Sequence, residues 1–419
     1  MTSIAYAALW LFVFTLPWEN VIAIGKVAIL SRVTGALALG IAMIAVATTG
    51  RFRRLHAFHL AALLYIVWMA IELVVFFGSV KPPAKFWTYC QLALVLWMVW
   101  ELAPTWRRQF GLLSAYVLGC YIAALDTIWL YRSQADVLRR FSAGNTDPND
   151  LAMTLALALP MAWYVGMHHR SQLMRWICRG YLPVGIIAIG LTGSRGGLLT
   201  TIVALMVIPL TMDRLTPGRL MTALLLLVGS AGLAAVYIPE TIVKRLSTTG
   251  AEVEDASFGN RFRLWRAGWH VFEQRPMTGV GTGGYVRAVT PELGSDARVA
   301  HNTYLSVLVE QGIVGLMLYL LMFLAVYRAI RHLPKLERRF ALTLFATLLI
   351  AILPLTWEDR KPVWFVLAAL LGLSQAWIAE SGALARQAAA GVGQLAGARA
   401  AAGRRMPLAT PRADQDAIA

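Results

Sequence analysis

The chain has 419 residues, of which 58% are hydrophobic and only 14% are charged, and its mean hydropathy is +0.62. A soluble protein of this length could not bury so much apolar surface, so the composition excludes a soluble protein and leaves no room for a separate soluble domain. The formal net charge of +16 would suggest a nucleic-acid partner in a soluble protein. In a membrane protein, basic cytoplasmic loops explain much of this excess, and no nucleic acid is expected.

Apolar runs of about 20 residues recur along the sequence, which is the length needed to cross a bilayer core about 30 Å thick. They predict an all-α polytopic membrane protein with about 12 transmembrane helices. No basic residue precedes Lys26, so a cleaved signal peptide is not expected. The predicted spans are 4–17, 29–49, 57–78, 86–103, 109–131, 149–167, 180–193, 196–211, 219–238, 302–326, 339–356 and 362–379.

An even number of spans places both termini on one side of the membrane. Basic residues are concentrated in the short loops of that side, so the positive-inside rule makes it cytoplasmic. Residues 1–380 are predicted to form a single transmembrane domain, and residues 381–419, rich in Ala, Gly and Arg, a flexible cytoplasmic tail. The long loop 239–300 then lies outside, and its helical pattern and aromatic residues favour a functional role for it.

Many basic residues fall on the outer side, where the positive-inside rule does not require them. One interpretation is a solvated surface, because long loops cross the membrane regardless of their charge. The other is a cationic pocket for an anion such as phosphate, with which Arg forms bidentate contacts. These residues are Arg132, Arg139, Arg140, Arg195, Lys244, Arg245, Arg261, Arg263, Arg266, Arg275, Arg287, Arg298, Arg360 and Lys361.

The stretch LTGSRGGLL (191–199) forms a very short outer connection between two predicted spans. Arg195 at its centre must lie at membrane depth or just above it, where a charged side chain usually faces a polar cavity. The glycines beside it allow close approach of the backbone near a helix start, which favours an anion. The alternative is a tight turn from which Arg195 extends to water.

An amphipathic helix is predicted within GNRFRLWRAGWHVFEQRP (259–276). Such a helix suits the membrane interface, where its guanidinium groups can meet a lipid phosphate. The alternative is an interfacial helix without a ligand. One stripe of this helix holds Phe262, Trp265, Trp269 and Phe272, another holds Arg263, Arg266 and His270, and Arg261 lies near its N-terminal end.

Two other loop motifs receive structural interpretations. The stretch GVGTGGY (279–285) resembles a nucleotide-binding glycine loop, but no strand precedes it, so we interpret it as a turn that folds the loop back. In RRFSAGNTDPNDLA (139–152), Asp147 and Asn149 fit a turn and a helix N-cap, and Arg140 is the better candidate for a phosphate partner.

The acids Glu72, Glu101, Asp126 and Glu310 are scattered in or near spans, which favours structural pairing over an ion pathway.

The segment VAHNTYLSVLVEQGIVGL (299–316) places His301 at the mouth of a membrane helix. A neutral imidazole, which titrates near a pKa of about 6.5, can both orient a hydroxyl group and remove its proton. Tyr304 lies about one turn further along the same helix face and can help to position a substrate. The alternative is a histidine bonded to backbone at a helix end.

Together these motifs resemble the bacterial O-antigen ligase family, within the wider O-antigen ligase/polymerase superfamily. The resemblance covers most of the chain through span count and the placement of the long loop, and its sharpest motifs lie between about 190 and 316. The matching residues are Ser194-Arg195-Gly196, Arg261-x-x-x-Trp265, RPMTGVGTGGY (275–285) and AHNTYLSVLVEQGIVGL (300–316).

The resemblance implies a glycosyltransferase of the bacterial inner membrane with a periplasmic active site and neither a metal nor a cofactor. Its donor would be O-antigen glycan on undecaprenyl diphosphate and its acceptor the lipid A–core oligosaccharide, with inversion at the anomeric carbon as a family expectation. Further partners would be membrane lipids and other lipopolysaccharide-assembly proteins. The expected catalytic residues are His301, Arg195 and Arg261, and the expected substrate-binding residues are Arg140, Arg263, Arg266, Asn302 and Tyr304.

Two alternatives remain open. An O-antigen polymerase or another lipid-linked glycan transferase would use a similar donor with a different acceptor. A membrane transporter is more remote, because the sequence shows no internal repeat and no paired broken helices.

Overall fold

The computed structural model describes residues 2–24, 27–28, 30–50, 52–78, 83–134, 140–144, 146–212 and 257–403, with a few single positions between 218 and 232. Apart from a two-residue hairpin of β1 (Ala23–Ile24) and β2 (Val27–Ala28), the regular structure in these ranges is helical. The first helices are α1 Thr2–Thr15, α2 Leu30–Thr49, α3 Ala57–Ile71 with a π-helical turn to Phe76, α4 Ala84–Leu102 and α5 Trp106–Gln134. They are followed by α6 Pro148–His168, α7 Gln172–Leu191, α8 Arg195–Leu205, α9 Val207–Thr211, α10 Ser257–Gln274, α11 Tyr285–Leu293, α12 Thr303–Ile330, α13 Lys335–Ile352 and α14 Lys361–Gly403.

Seven helices in the described part of the chain are long and apolar enough to cross a membrane. They are α2, α3 with its π-helical turn, α5, α6, α7, α12 and the first 24 residues of α14. The prediction of an all-α polytopic membrane protein is therefore confirmed. The number of about twelve is not confirmed, because the other predicted spans correspond to shorter or less apolar helices, and span 219–238 falls almost wholly outside the described residues.

The ends of two predicted segments also fall outside the described residues. The last helix continues to Gly403, so residues 381–403 of the predicted tail are helical, while residues 404–419 are not described. In the described part of the predicted long loop, the helices are α10, α11 and a short 3-10 helix at Gly294–Asp296, and residues 239–256 are not described. The flexibility of the tail and the outer location of the loop remain predictions.

Helix α6 forms the centre of the helical bundle. Its residues from Leu151 to Gly166 are all buried, and α5, α7, α8 and α13 surround it. The sequence LAMTLALALPMAWYVG explains this position, because it is apolar on every face. Its alanines also let the neighbouring helices approach closely, as small residues do in membrane bundles.

Helix α12 is interrupted at Gly312, which has φ 65°. Here the helix meets the glycine turn, defined as residues 276–284, in which Gly279, Gly281 and Gly283 also have positive φ. This confirms the interpretation of GVGTGGY as a turn. The N–H groups of Val280 and Gly281 donate to the carbonyls of Val309 and Glu310 at 3.0 and 2.7 Å, and Ile313 N–H donates to the Pro276 carbonyl at 2.8 Å.

We expect Gly312→Ala to destabilise the protein by at least about 2 kcal/mol. Gly312 has φ 65° and ψ −171°, a conformation that is essentially restricted to glycine and costs another residue about 1–3 kcal/mol. The added Cβ would also overlap the Met277 carbonyl. The measurement is the unfolding temperature of the purified protein in detergent.

The matched control is Gly40→Ala, in the middle of α2, where an added Cβ meets nothing within 4 Å. Alanine is the better helix former, so this variant should gain about 0.5–1 kcal/mol. Equal unfolding temperatures for the two variants would contradict the role given to the break.

Candidate active site

Three helices begin at the same end of the bundle, each with a side-chain N-cap. Asp147 caps α6, and its Oδ1 accepts from Asn149 N–H at 2.8 Å, which confirms the predicted cap. Ser194 caps α8 by accepting from Gly197 N–H at 3.2 Å, and Asn302 caps α12 by accepting from Leu305 N–H at 3.1 Å. Each helix start carries a partial positive charge, so their common end favours anions.

The α13–α14 connection, residues 353–360, contacts all three helix starts. Pro354 lies against Gly196, where a Cβ would come within 3.1 Å of its ring. Arg360 forms an ion pair of 3.3 Å with Asp150 in the first turn of α6. Thr356 accepts a hydrogen bond of 3.0 Å from the backbone N–H of His301. This connection therefore fixes the three helix starts relative to one another.

His301 has φ 47°, and it is the one non-glycine residue with positive φ in the described part of the chain. His, Asn and Asp tolerate this conformation better than other L-residues. Thr303 stabilises this backbone conformation of His301 by bonding to the α13–α14 connection. Its hydroxyl donates to the Leu355 carbonyl at 2.8 Å and accepts from Trp357 N–H at 2.9 Å. The backbone around His301 is therefore held from two sides by the α13–α14 connection.

Helix α10 packs over His301 from the other side. Its buried face is formed by Leu264 and Ala267, which lie against α11. The Trp265 indole donates a hydrogen bond of 2.8 Å to the carbonyl of Ala300, directly before His301. Phe262 and Trp269, two members of the predicted aromatic stripe, are exposed. The helix thus presents aromatic rings outward while its N-terminal half closes over the histidine.

A pocket of about 270 Å³ opens between α10 and the start of α12. It brings together three of the predicted site residues, namely His301, Arg261 and Arg263. Arg263 also forms an exposed ion pair of 3.6 Å with Asp296. The remaining lining residues are Asn260, Leu264, Leu293, Asp296 and Arg298.

The environment of His301 favours a neutral ring. Burial lowers the pKa of His301 below its ordinary value of 6.5, and the positive charge of Arg261 lowers it further, while Asp147 opposes these effects. Burial also lowers the pKa of Arg261, again opposed by Asp147. Asp147 therefore belongs to the electrostatics of the site as well as capping α6, a role that the sequence left open.

The other predicted site residues lie around this pocket rather than in it. Arg140 donates to the Thr192 carbonyl at 2.8 Å and to Asn149 Oδ1 at 2.9 Å, so it ties the start of α6 to the turn before α8. Arg195 is the first residue of α8 and is partly exposed. Asn302 uses its Oδ1 as the N-cap, Tyr304 packs partly buried against the bundle core, and Arg266 is exposed on α10.

A buried ion cluster lies behind the pocket. Lys85, in the first turn of α4, contacts Glu310 at 2.8 Å and Glu358 at 2.6 Å, and both glutamates are almost fully buried. Ser306 donates to Glu358 at 2.8 Å, and Gly283 N–H of the glycine turn donates to Glu310 at 2.9 Å. The ion pair confirms the structural pairing predicted for Glu310. The cluster joins α4 and α12 to both the α13–α14 connection and the glycine turn.

The geometry suits the binding of an anion next to a proton acceptor. A neutral imidazole can accept a proton, and guanidinium groups together with helix starts can stabilise negative charge. Within the described ranges, no group of three His, Cys, Asp or Glu side chains is arranged to hold a metal ion.

The fold and this site define a polytopic helical membrane protein with a cationic pocket beside a histidine at one end of its bundle. Residues 181–320 match the family model described as O-antigen ligase, and this match supports the family resemblance that the motifs of this segment predict. The matched segment contains Arg195, Arg261 and His301. No curated protein matches the chain.

We expect Lys85→Met to lower the free energy of unfolding by about 3–5 kcal/mol, because it leaves two buried carboxylates without their cation. Adding Glu358→Gln should recover part of this loss, since one uncompensated charge is then removed. Denaturant unfolding of the purified protein in detergent measures both effects.

Lys361→Met is the matched control. Lys361 forms an ion pair with Glu19, but these side chains are 28% and 25% exposed, whereas that of Glu358 is 0% exposed. An ion pair with this solvent access contributes only about 0–1 kcal/mol. A loss as large for Lys361→Met as for Lys85→Met would contradict the importance of the buried cluster.

Proposed function

We propose that this protein is an O-antigen ligase. It transfers O-antigen glycan from undecaprenyl diphosphate to a sugar hydroxyl of the lipid A–core oligosaccharide, on the periplasmic face of the inner membrane. The observation that carries the proposal is the meeting of His301 and Arg261 in one pocket, within the segment that matches the O-antigen ligase family.

The reaction needs one proton acceptor and one anion stabiliser. The acceptor hydroxyl oxygen attacks the anomeric carbon of the donor, and the bond from that carbon to the diphosphate oxygen breaks. The leaving diphosphate takes the electron pair, and the hydroxyl proton passes to His301. A depressed pKa keeps His301 neutral and therefore ready to accept this proton at neutral pH.

Negative charge grows on the diphosphate as the glycosidic bond breaks. Positive groups that are already in place stabilise this transition state more than the ground state. Arg261 is the proposed main partner, with Arg263 in the same pocket and Arg195 at the nearby start of α8. A diphosphate is a good leaving group, so the transfer requires no nucleotide.

The sequence predicts that Arg140 binds phosphate, but we propose that Arg140 has an orienting role instead. Its guanidinium group already bonds Thr192 and Asn149, so it orients the turn that carries Arg195. The exposed rings of Phe262 and Trp269 suit the membrane interface, where aromatic side chains concentrate. They would hold α10 at the depth at which a lipid-bound diphosphate enters the pocket.

The function is tested by deleting the gene in its host and separating lipopolysaccharide on a gel. A ligase predicts complete loss of capped core, with polymer retained on the lipid carrier, and restoration by the wild-type gene. Core capped by single repeats would instead assign the chain as a polymerase. An unchanged pattern would exclude both activities.

The variant His301→Asn tests whether His301 is a catalytic base or only positions the acceptor hydroxyl. Asn tolerates positive φ and keeps a hydrogen-bond donor and acceptor, but it cannot take up the proton. We expect turnover with purified donor and acceptor to fall by about 10²–10⁴-fold, the usual contribution of a general base. A variant that retains turnover within about tenfold, with an unchanged unfolding temperature, would leave His301 only a positioning role.

Arg261→Gln should shift the pH profile as well as the rate. Removing the positive charge raises the pKa of His301, because Arg261 lowers it. The base must be neutral, so the acid limb of kcat/KM should move to higher pH. Turnover should also fall by about 10²–10³-fold through loss of anion stabilisation.

Arg287→Gln is the control for this measurement. Arg287 is exposed on α11 and does not line the pocket. Its removal changes net charge by the same amount and should leave the acid limb in place. The acid limb of kcat/KM could stay in place in Arg261→Gln, or it could move equally in Arg287→Gln. Either result would contradict the claim that the charge of Arg261 lowers the pKa of His301.

A further inference from the structure

A second concave surface lies at the opposite end of α12 from His301. It is a groove of about 520 Å³ between α3, α12 and α14. Its walls are exposed leucines, Leu60 and Leu64 of α3 and Leu321 and Leu324 of α12. Buried alanines of the same two helices form the floor and leave room between the walls. The groove therefore has the apolar lining that an acyl chain requires.

Polar side chains collect at one end of this groove. His56 precedes α3, Arg328 lies in the last turn of α12, and His332 directly follows that helix. Because α3 and α12 run antiparallel here, these three residues lie together, beyond the leucines. The groove is thus apolar along its length and carries the positive charge of Arg328 at its end.

The cationic end has donor groups to offer a ligand. His56 Nδ1 accepts a hydrogen bond of 3.2 Å from Phe58 N–H, so in its neutral form the proton is on Nε2. In the described part of the chain, the side chains of Arg328 and His332 make no hydrogen bond or ion pair. A guanidinium group can bind a phosphate through two parallel hydrogen bonds.

We propose that this groove is a binding site for an anionic phospholipid, with the phosphate at Arg328 and an acyl chain along the leucines. Lipid surrounds any spanning helix, so the proposal concerns selectivity for negative charge. A zwitterionic lipid brings its own cation, which gains nothing from Arg328. An anionic headgroup such as phosphatidylglycerol matches the charge of this end without such a penalty.

The groove is separate from the proposed active site. The first turn of α12 and Arg328 are about 25 residues apart, which is roughly 37 Å at 1.5 Å per residue. On the predicted topology Arg328 lies on the cytoplasmic side, where basic residues meet anionic lipids. The proposal does not depend on the ligase reaction and survives if that reaction is disproved.

The test is native mass spectrometry of the full-length protein in detergent, with added dioleoyl-phosphatidylglycerol or dioleoyl-phosphatidylcholine. We expect the wild type to retain phosphatidylglycerol about tenfold better than phosphatidylcholine. Arg328→Gln should remove most of this preference, and Arg328→Gln/His332→Asn should abolish it. Equal retention of the two lipids by the wild type would overturn the proposal.

Arg331→Gln is the matched control, because Arg331 lies over the ring of Tyr327 and does not line the groove. It should keep the wild-type preference, and a loss equal to that of Arg328→Gln would reduce the effect to general charge. Ala325→Leu fills the floor while keeping Arg328, and it should weaken retention of both lipids. A dimer that forms on delipidation and is lost in Ala325→Leu would assign the groove to a second copy and overturn the proposal.

Discussion

The arrangement of this end of the bundle depends on one buried lysine between two buried glutamates. Charges in an apolar interior are stable only when paired, so Lys85 requires Glu310 and Glu358 to lie in fixed positions. Glu358 belongs to the α13–α14 connection and Glu310 to the broken part of α12. Lys85 therefore sets the distance between the α13–α14 connection, which holds the backbone of His301, and the glycine turn, which follows α10.

The proposed chemistry follows from what this frame supports. Three helix starts and several guanidinium groups meet on a surface that, in the proposed reaction, would face a lipid-bound diphosphate. The histidine beside them stays neutral because burial and a neighbouring arginine disfavour its charged form. In the proposed reaction, the positive charge near His301 would have two effects, because it would attract the anionic donor and it lowers the pKa of the proposed base.

The sequence predicts those parts of the protein that rest on local rules. The helical membrane class, the cap at Asp147, the turn at residues 279–285 and the joint position of His301, Arg261 and Arg263 were accessible from hydropathy, turn chemistry and motifs. The ion cluster was not, because Lys85 and Glu358 are 273 positions apart and each resembles an ordinary charge at the edge of a span. The number of about twelve spans is not confirmed, because apolar runs of similar composition form helices of unequal length in the described part of the chain. The part played by Arg140 depends on carbonyl and amide partners that no pattern marks.

The break in α12 has a consequence for how the protein is assembled. At this point the helix leaves backbone groups without their usual partners, and an exposed amide in hydrocarbon costs several kcal/mol. Residues 276–281 satisfy these groups by bonding to residues 309–313, yet they precede α12 in the chain. Insertion of the span and folding of the preceding segment must therefore be completed together. A chain whose glycine turn fails to dock would leave these backbone groups of α12 unsatisfied in the bilayer.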